Sequence, residues 1–257
     1  MWYIVNNVEC YGMEYEVCTL SDRPDLVDDV ASLDNHSWPE FLQHSDTENW
    51  HHLYTELSDW TLMLLSGEKV IGVVFAVPVK WSGGITSLPE SIADVVAQGL
   101  ALHRRGAPAN TLIPIAALVD PSVQGKGLSS KLLLEIKALA KRRGLTSLVV
   151  PVRPIYKSKY PIQSIQSYAS WLSHDGFYYD PWLRVHQKLG AKAIHIANCT
   201  LTVKGTLAQW AKWTRMIFPH SGQYVVPGAL TTIDVDKAND CGIYREPNVW
   251  MKHPMED

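Results

Sequence analysis

Thr111 to Val119 is a nearly unbroken apolar run that leads through a short polar turn into Gln124-Gly125-Lys126-Gly127-Leu128-Ser129. A strand that is apolar at successive positions has both faces covered, so this run is expected at the centre of a sheet. Pro114 fits such a strand poorly and points to a bulge or an unpaired amide. After the turn, Leu128, Leu132, Ile136 and Leu139 fall on one helical stripe, with Lys131, Glu135, Lys137, Lys141 and Arg142 turned to water. Gly144 is placed to end that helix in the left-handed conformation, and Leu145 to Val152 reads as the next strand.

The flanking segments are read in the same way. Glu14 to Leu20 alternates as a strand, and Ser21 or Asp22 is placed to cap a helix running to about Ser32. Helical pieces are expected from Trp38-Pro39 to Leu57. Trp60 to Leu65 and Val70 to Val79, joined by Ser66-Gly67-Glu68-Lys69, read as a hairpin. A helix is expected over Ser87 to His103, then a loop or short helix over Pro154 to Tyr168, and a helix over Pro181 to Leu189 with Gly190 as its stop. Ala193 to Val203 reads as a strand and Thr206 to Met216 as a Trp-rich helix. With no repeat or linker, the chain is expected to be a single domain over residues 1–257. Its core would span about 14–203, with a C-terminal extension over 204–257.

Composition narrows the function. A net charge of −3 gives no field for nucleic acid or anionic membrane. The apolar run Val70 to Val79 is too short to span a bilayer, and Met1 to Val5 gives way to Asn6-Asn7 without a charged leader. Cys10, Cys18, Cys199 and Cys241 form no CxxC pair and are expected as scattered thiols in a reducing cytoplasm, with no metal site. The ten tryptophans are read first as core.

The turn before the central helix has the physical features of an anion site. The first amides of a helix lack intrahelical partners, and the macrodipole places partial positive charge there. Gly125 and Gly127 let backbone approach a phosphate without a Cβ in the way, and Lys126 adds charge. A bare strand-to-helix turn that holds nothing has the same short pattern. GxxxxGK[ST] is absent, and no third glycine stands at Ser130 for a dinucleotide fingerprint.

Ala117-Leu118-Val119-Asp120-Pro121-Ser122-Val123-Gln124-Gly125-Lys126-Gly127-Leu128 resembles motif A of the GNAT superfamily of acyl-CoA-dependent N-acyltransferases, Gln/Arg-x-x-Gly-x-Gly/Ala after a strand. The resemblance implies a GNAT-like α/β fold, with a mixed, mostly antiparallel twisted sheet and helices on both faces. It implies acetyl-CoA or another acyl-CoA as co-substrate and an amine acceptor that attacks the thioester directly. The co-substrate would lie on Ala117, Leu118, Val119, Gln124, Gly125, Lys126, Gly127, Leu128 and Ser129. Ser129 departs from the motif, standing where Gly or Ala is usual. The central strand and Leu145 to Val152 would run parallel and splay apart near Gln124, to admit the pantetheine arm.

Leu183 to Lys192 resembles the family segment Tyr-x-x-x-Gly-Phe, in which the tyrosine protonates the leaving thiolate. His186 holds that place and is the expected catalytic residue, against the plainer reading of a core histidine. Asp180 to Ala191 also resembles the GNAT-like domains of polyketide synthase loading modules, some of which decarboxylate malonyl groups. His186 matches the histidine of those domains and Trp38 their tryptophan. Their arginine would fall near Leu201 and their threonine near Val152, so decarboxylation is disfavoured.

Trp38 and Arg153 are expected to bind substrate. Lys157, Lys159 and Tyr160 could do so too, although a solvated basic loop is the plainer reading. Asp120 reads as a turn residue and His103-Arg104-Arg105 as a helix end, while Glu246 and His253 flank a segment that could close a pocket. Three functions stay open: a free acyl-CoA N-acyltransferase, a partner of an acyl carrier protein, and a non-catalytic acyl-CoA binder. A homodimer is left open as well.

Overall fold

In the computed structural model, residues 15–46 and 49–256 are described; Cys10, Glu14 and the opening run 1–7 lie outside them. The chain begins its sheet with β1 (Glu16–Thr19), β2 (Thr61–Ser66) and β3 (Lys69–Val79), which are antiparallel neighbours; β2 and β3 form the expected hairpin. Among the described residues the intervening segment holds α1 (Val27–Ser37) and four short 3₁₀ turns. No side chain caps α1, because the Asp22 carboxylate instead accepts from the Thr19 amide and hydroxyl, at 2.9 and 2.6 Å. After β3 comes α2 (Ile92–Arg105), which starts later than the sequence suggests, because Ser91 accepts from the Asp94 amide and fixes the first turn there.

β4 (Thr111–Val119), α3 (Leu128–Arg142) and β5 (Ser147–Val152) follow as read from the sequence. β4 is antiparallel to β3 and parallel to β5, which makes it central. Apolar side chains cover both of its faces. Ile113, Ala116 and Leu118 join the layer under α1 and α2, while Leu112 joins the layer beneath Leu132, Ile136 and Leu139 of α3.

The last third contains α4 (Ile165–Ala169), α5 (Pro181–Lys188), β6 (Lys192–Gly205), α6 (Leu207–Thr214), β7 (Gly222–Tyr224), β8 (Ile233–Asp236) and β9 (Cys241–His253). The run 204–257, expected as an extension of a finished core, instead supplies β9 to the main sheet. β9 pairs with β5 through residues 249–253, with β6 through 242–252 and with β8 through 241–243. A strand has two edges. With β6 along one, β5 and β8 must share the other, leaving residues 244–248 of that edge between them.

Candidate active site

β4 and β5 pair only at Thr111–Ser147 and Leu112–Leu148, then diverge. Two features of β4 end the pairing region: Pro114, which has no amide, and a register shift that leaves Ile115 without a partner on β3. A cavity of about 510 Å³ opens there, lined by residues 114–119 of β4 and by Val150, Pro151, Val152 and Arg153. It continues to Trp38, Pro39 and Leu42 on one side and to Gln124 on the other.

Ala117, Leu118, Val119 and Gln124, four of the residues expected to hold the co-substrate, line this cavity. Gln124 Nε2 donates to the Val119 carbonyl at 3.2 Å, which folds the turn back on the strand end. Gly125 and Gly127 have φ of +80° and +78°, Gly127 is the α3 N-cap with no capping side chain, and a Cβ at Gly125 would meet open space. Gly125, Lys126 and Gly127 are exposed and Ser129 is half-buried. Leu128 is turned into the core beneath α3, so only its backbone can face a ligand. Asp120 is the expected turn residue; it accepts from the Ser122 amide and pairs with Lys69 Nζ at 2.7 Å, and these bonds hold its carboxyl down at about 2.

The far wall comes from residues 244–248 of β9, on the edge left open between β5 and β8. Glu246 is 4% exposed, and its Oε2 accepts from Arg153 Nε and Tyr244 Oη, each at 2.9 Å. Arg153 also donates to the Gly228 carbonyl at 2.8 Å. Arg153 lines the cavity, but two of its donors are held by the protein. Asn248 is 4% exposed and donates Nδ2 to the Pro151 carbonyl at 3.1 Å. A carbonyl only accepts, so this contact fixes the amide orientation and leaves the buried Oδ1 without a partner. Across the cavity, the Asp34 carboxylate on α1 accepts from Trp38 Nε1, Trp50 Nε1 and Tyr54 Oη.

His186 is fully buried and does not line the cavity. Trp182, one turn earlier on α5, does, and the two rings meet edge to face with centroids 4.5 Å apart. His186 Nδ1 and His253 Nε2 share a hydrogen bond of 2.8 Å, while His186 Nε2 has no partner. Burial first, and the neighbouring His253 second, push the His186 imidazole well below its usual range, so it is neutral at pH 7. Lys157 corrects the expectation of a solvated basic loop. It is fully buried, donates to the Tyr160 and Leu230 carbonyls at 2.8 and 2.6 Å, and is lowered to about 8 by burial. Lys159 lies over the Tyr156 ring, Tyr160 joins a cluster with Tyr168, Trp171 and Tyr179, and Arg104 pairs with Glu56.

Asp34 and Asn248 escaped the sequence reading. One local signal existed for Asp34, since Trp38 follows four residues later, just past the end of α1. Asn248 has no such signal, because only the pairing of β9 brings it to the cavity.

No family model matches the chain. It is 26% identical to the arginine N-acetyltransferase avaD of Aspergillus versicolor, over 94% of each chain. The solved loading GNATL domain of CurA from Lyngbya majuscula superposes with a TM-score of 0.62 at 16% identity, covering 94% of this chain and 98% of that one. The GNAT-like decarboxylase GphF, solved in complex with isobutyryl-CoA, gives 0.56 at 19% identity, covering 94% and 99%. These two likenesses give the fold, which is GNAT-like, and the splayed β4–β5 pair and the glycine turn before α3 fit the sequence's resemblance to the GNAT superfamily.

Proposed function

We propose that this protein transfers an acetyl group from acetyl-CoA to a basic amine, with both substrates meeting in the cavity between β4 and β5. The observation that carries this reading is the divergence of β4 from β5 after two residue pairs, which leaves a strand edge free beside a helix start built for phosphate. The free edge of β4 can pair with an amide-bearing arm as another strand would. The backbone turn at Gly125 and Gly127 fits a pyrophosphate, since neither residue places a Cβ toward it. The acceptor enters against Trp38, Asp34, Glu246 and Asn248, and attacks the thioester directly. Positioning of the two substrates supplies much of the rate.

His186 is proposed to stabilise the leaving thiolate. Its unpartnered Nε2 and its contact with Trp182 on the cavity wall support this role. Because the imidazole is held neutral, it would act as an N–H hydrogen-bond donor and not as an imidazolium. Leu201 and Val152, near which the loading-module arginine and threonine would fall, line the cavity as apolar residues, which supports transfer over decarboxylation. Residues 204–257 are proposed to act as one domain with the rest, and free acyl-CoA, not an acyl carrier protein, as the donor. Cys18, Cys199 and Cys241 form no disulfide among the described residues, and a cytoplasmic setting is proposed.

Native mass spectrometry of the purified protein tests the donor, and release of CoA thiol on adding arginine to protein with acetyl-CoA tests the transfer. Co-purified CoA and acceptor-dependent thiol release are expected. Absence of any binding to acetyl-CoA would remove the reading.

A further inference from the structure

Asp34 is 6% exposed, lies on α1 and lines the cavity. Its Oδ1 accepts from Trp38 Nε1 at 2.9 Å; its Oδ2 accepts from Trp50 Nε1 at 2.9 Å and Tyr54 Oη at 2.6 Å. All three donors are neutral. Among the described residues no lysine, arginine or histidine forms an ion pair with it. The other carboxylate of the cavity, Glu246, is treated differently, since the chain supplies Arg153 as its counter-charge. Buried carboxylates are ordinarily paired or coordinated, because desolvating a charge is costly. Burial first, and Asp34 second, push the Tyr54 hydroxyl well above its usual range, so Tyr54 stays a donor.

A carboxylate has about four acceptor sites, and three are filled here. The remaining one lies on Oδ1, in a cavity that Trp38 and Trp50 also line. We propose that Asp34 is a subsite for a cationic group on the acceptor, a guanidinium in the first instance, that is not itself acylated. A guanidinium is planar, gives hydrogen bonds to a carboxylate and stacks on aromatic rings, which matches an anion set between two indoles. The anion would hold one end of the acceptor, leaving its amine free to reach the thioester at β4. This inference rests on the acyltransferase reading of the cavity.

Arginine and citrulline differ at one group, a cationic guanidinium against a neutral ureido of nearly the same shape. Calorimetry on full-length protein saturated with CoA compares their affinities without requiring turnover. Arginine is expected to bind at least tenfold more tightly than citrulline, and Asp34→Asn, which keeps the side-chain shape, is expected to remove that preference. Arginine binding no tighter than citrulline in the wild type overturns the proposal, as does a folded Asp34→Asn variant that keeps the preference. The wild-type comparison stands alone if Asp34→Asn unfolds, because a carboxylate that only organises the indoles predicts equal affinities. Acetyl-CoA binding, measured on the same protein, separates the two failures. Its absence defeats the acyltransferase reading, whereas its presence with equal arginine and citrulline binding defeats only the subsite.

Discussion

Glu246 and Arg153, 93 positions apart in sequence, meet with Nε 2.9 Å from Oε2 and close one wall of the cavity between β5 and β9. Removing one charge from a buried pair strands the other, at a cost of about 3 kcal/mol or more. Glu246→Gln is therefore expected to lower stability in urea by about that amount. Adding Arg153→Met should restore part of the loss, because no buried cation then lacks a counter-charge. Two single-variant losses that simply add would show that the pair is not coupled.

Gly127→Asp places a like charge and a Cβ where the α3 amides face the proposed pyrophosphate. Acetyl-CoA affinity by calorimetry is expected to fall tenfold or more, about 1.4 kcal/mol, with the fold retained. The substitution is at φ +78°, so a modest stability loss accompanies it. Unchanged affinity in a folded variant would remove the phosphate assignment.

His186→Phe keeps the ring that packs on Trp182 and deletes both nitrogens. The variant is expected to bind acetyl-CoA normally and to lose about a hundredfold in turnover. His186→Tyr, which restores a hydroxyl donor, should recover part of it. Equal turnover of the Phe variant and wild type would make His186 a packing residue.

Stability should fall as the pH drops from 6.5 toward 4. Burial, and secondarily the Lys137 charge, lower His253 to about 4, and His186 is lowered well below 6.5. Between those values the unfolded chain binds protons that the folded chain does not, so acid favours unfolding. Each histidine kept neutral contributes a slope of about 1.4 kcal/mol per pH unit. Chemical denaturation from pH 7 to 4.5 should show this slope. It should flatten when both residues are replaced by leucine and glutamine, at 186 and 253 respectively. The strongly lowered Glu56 and Asp120, both at about 2, act below this window.

The β4–turn–α3 unit was legible because every signal in it is local: an apolar run, two glycines, a helical stripe. Pro114 even marked the bulge, since a missing amide can be read from a single residue. Of the other wall, only the segment between Glu246 and His253 was legible, and that as one that could close a pocket. Glu246 and Asn248 reach the cavity only because β9 lies between β5 and β6, and nothing in either segment encodes which strand it will pair with. His186 was found by its spacing from Gly190, but its burial against His253 depends on that same distant pairing. Lys157 misled for the reverse reason, because its buried acceptors include Leu230, far along the chain.

The place of β9 in the sheet bears on how the protein is made. A ribosome finishes β5 long before it reaches Cys241, and until then neither β5 nor β6 has β9 beside it. Pairings so distant in sequence form slowly, and exposed strand edges invite association with other chains. Nascent chains halted before Cys241 are therefore expected to remain open to protease and to engage chaperones. Chains that have cleared His253 from the exit tunnel should become resistant as the last strand slots between two that have been waiting for it.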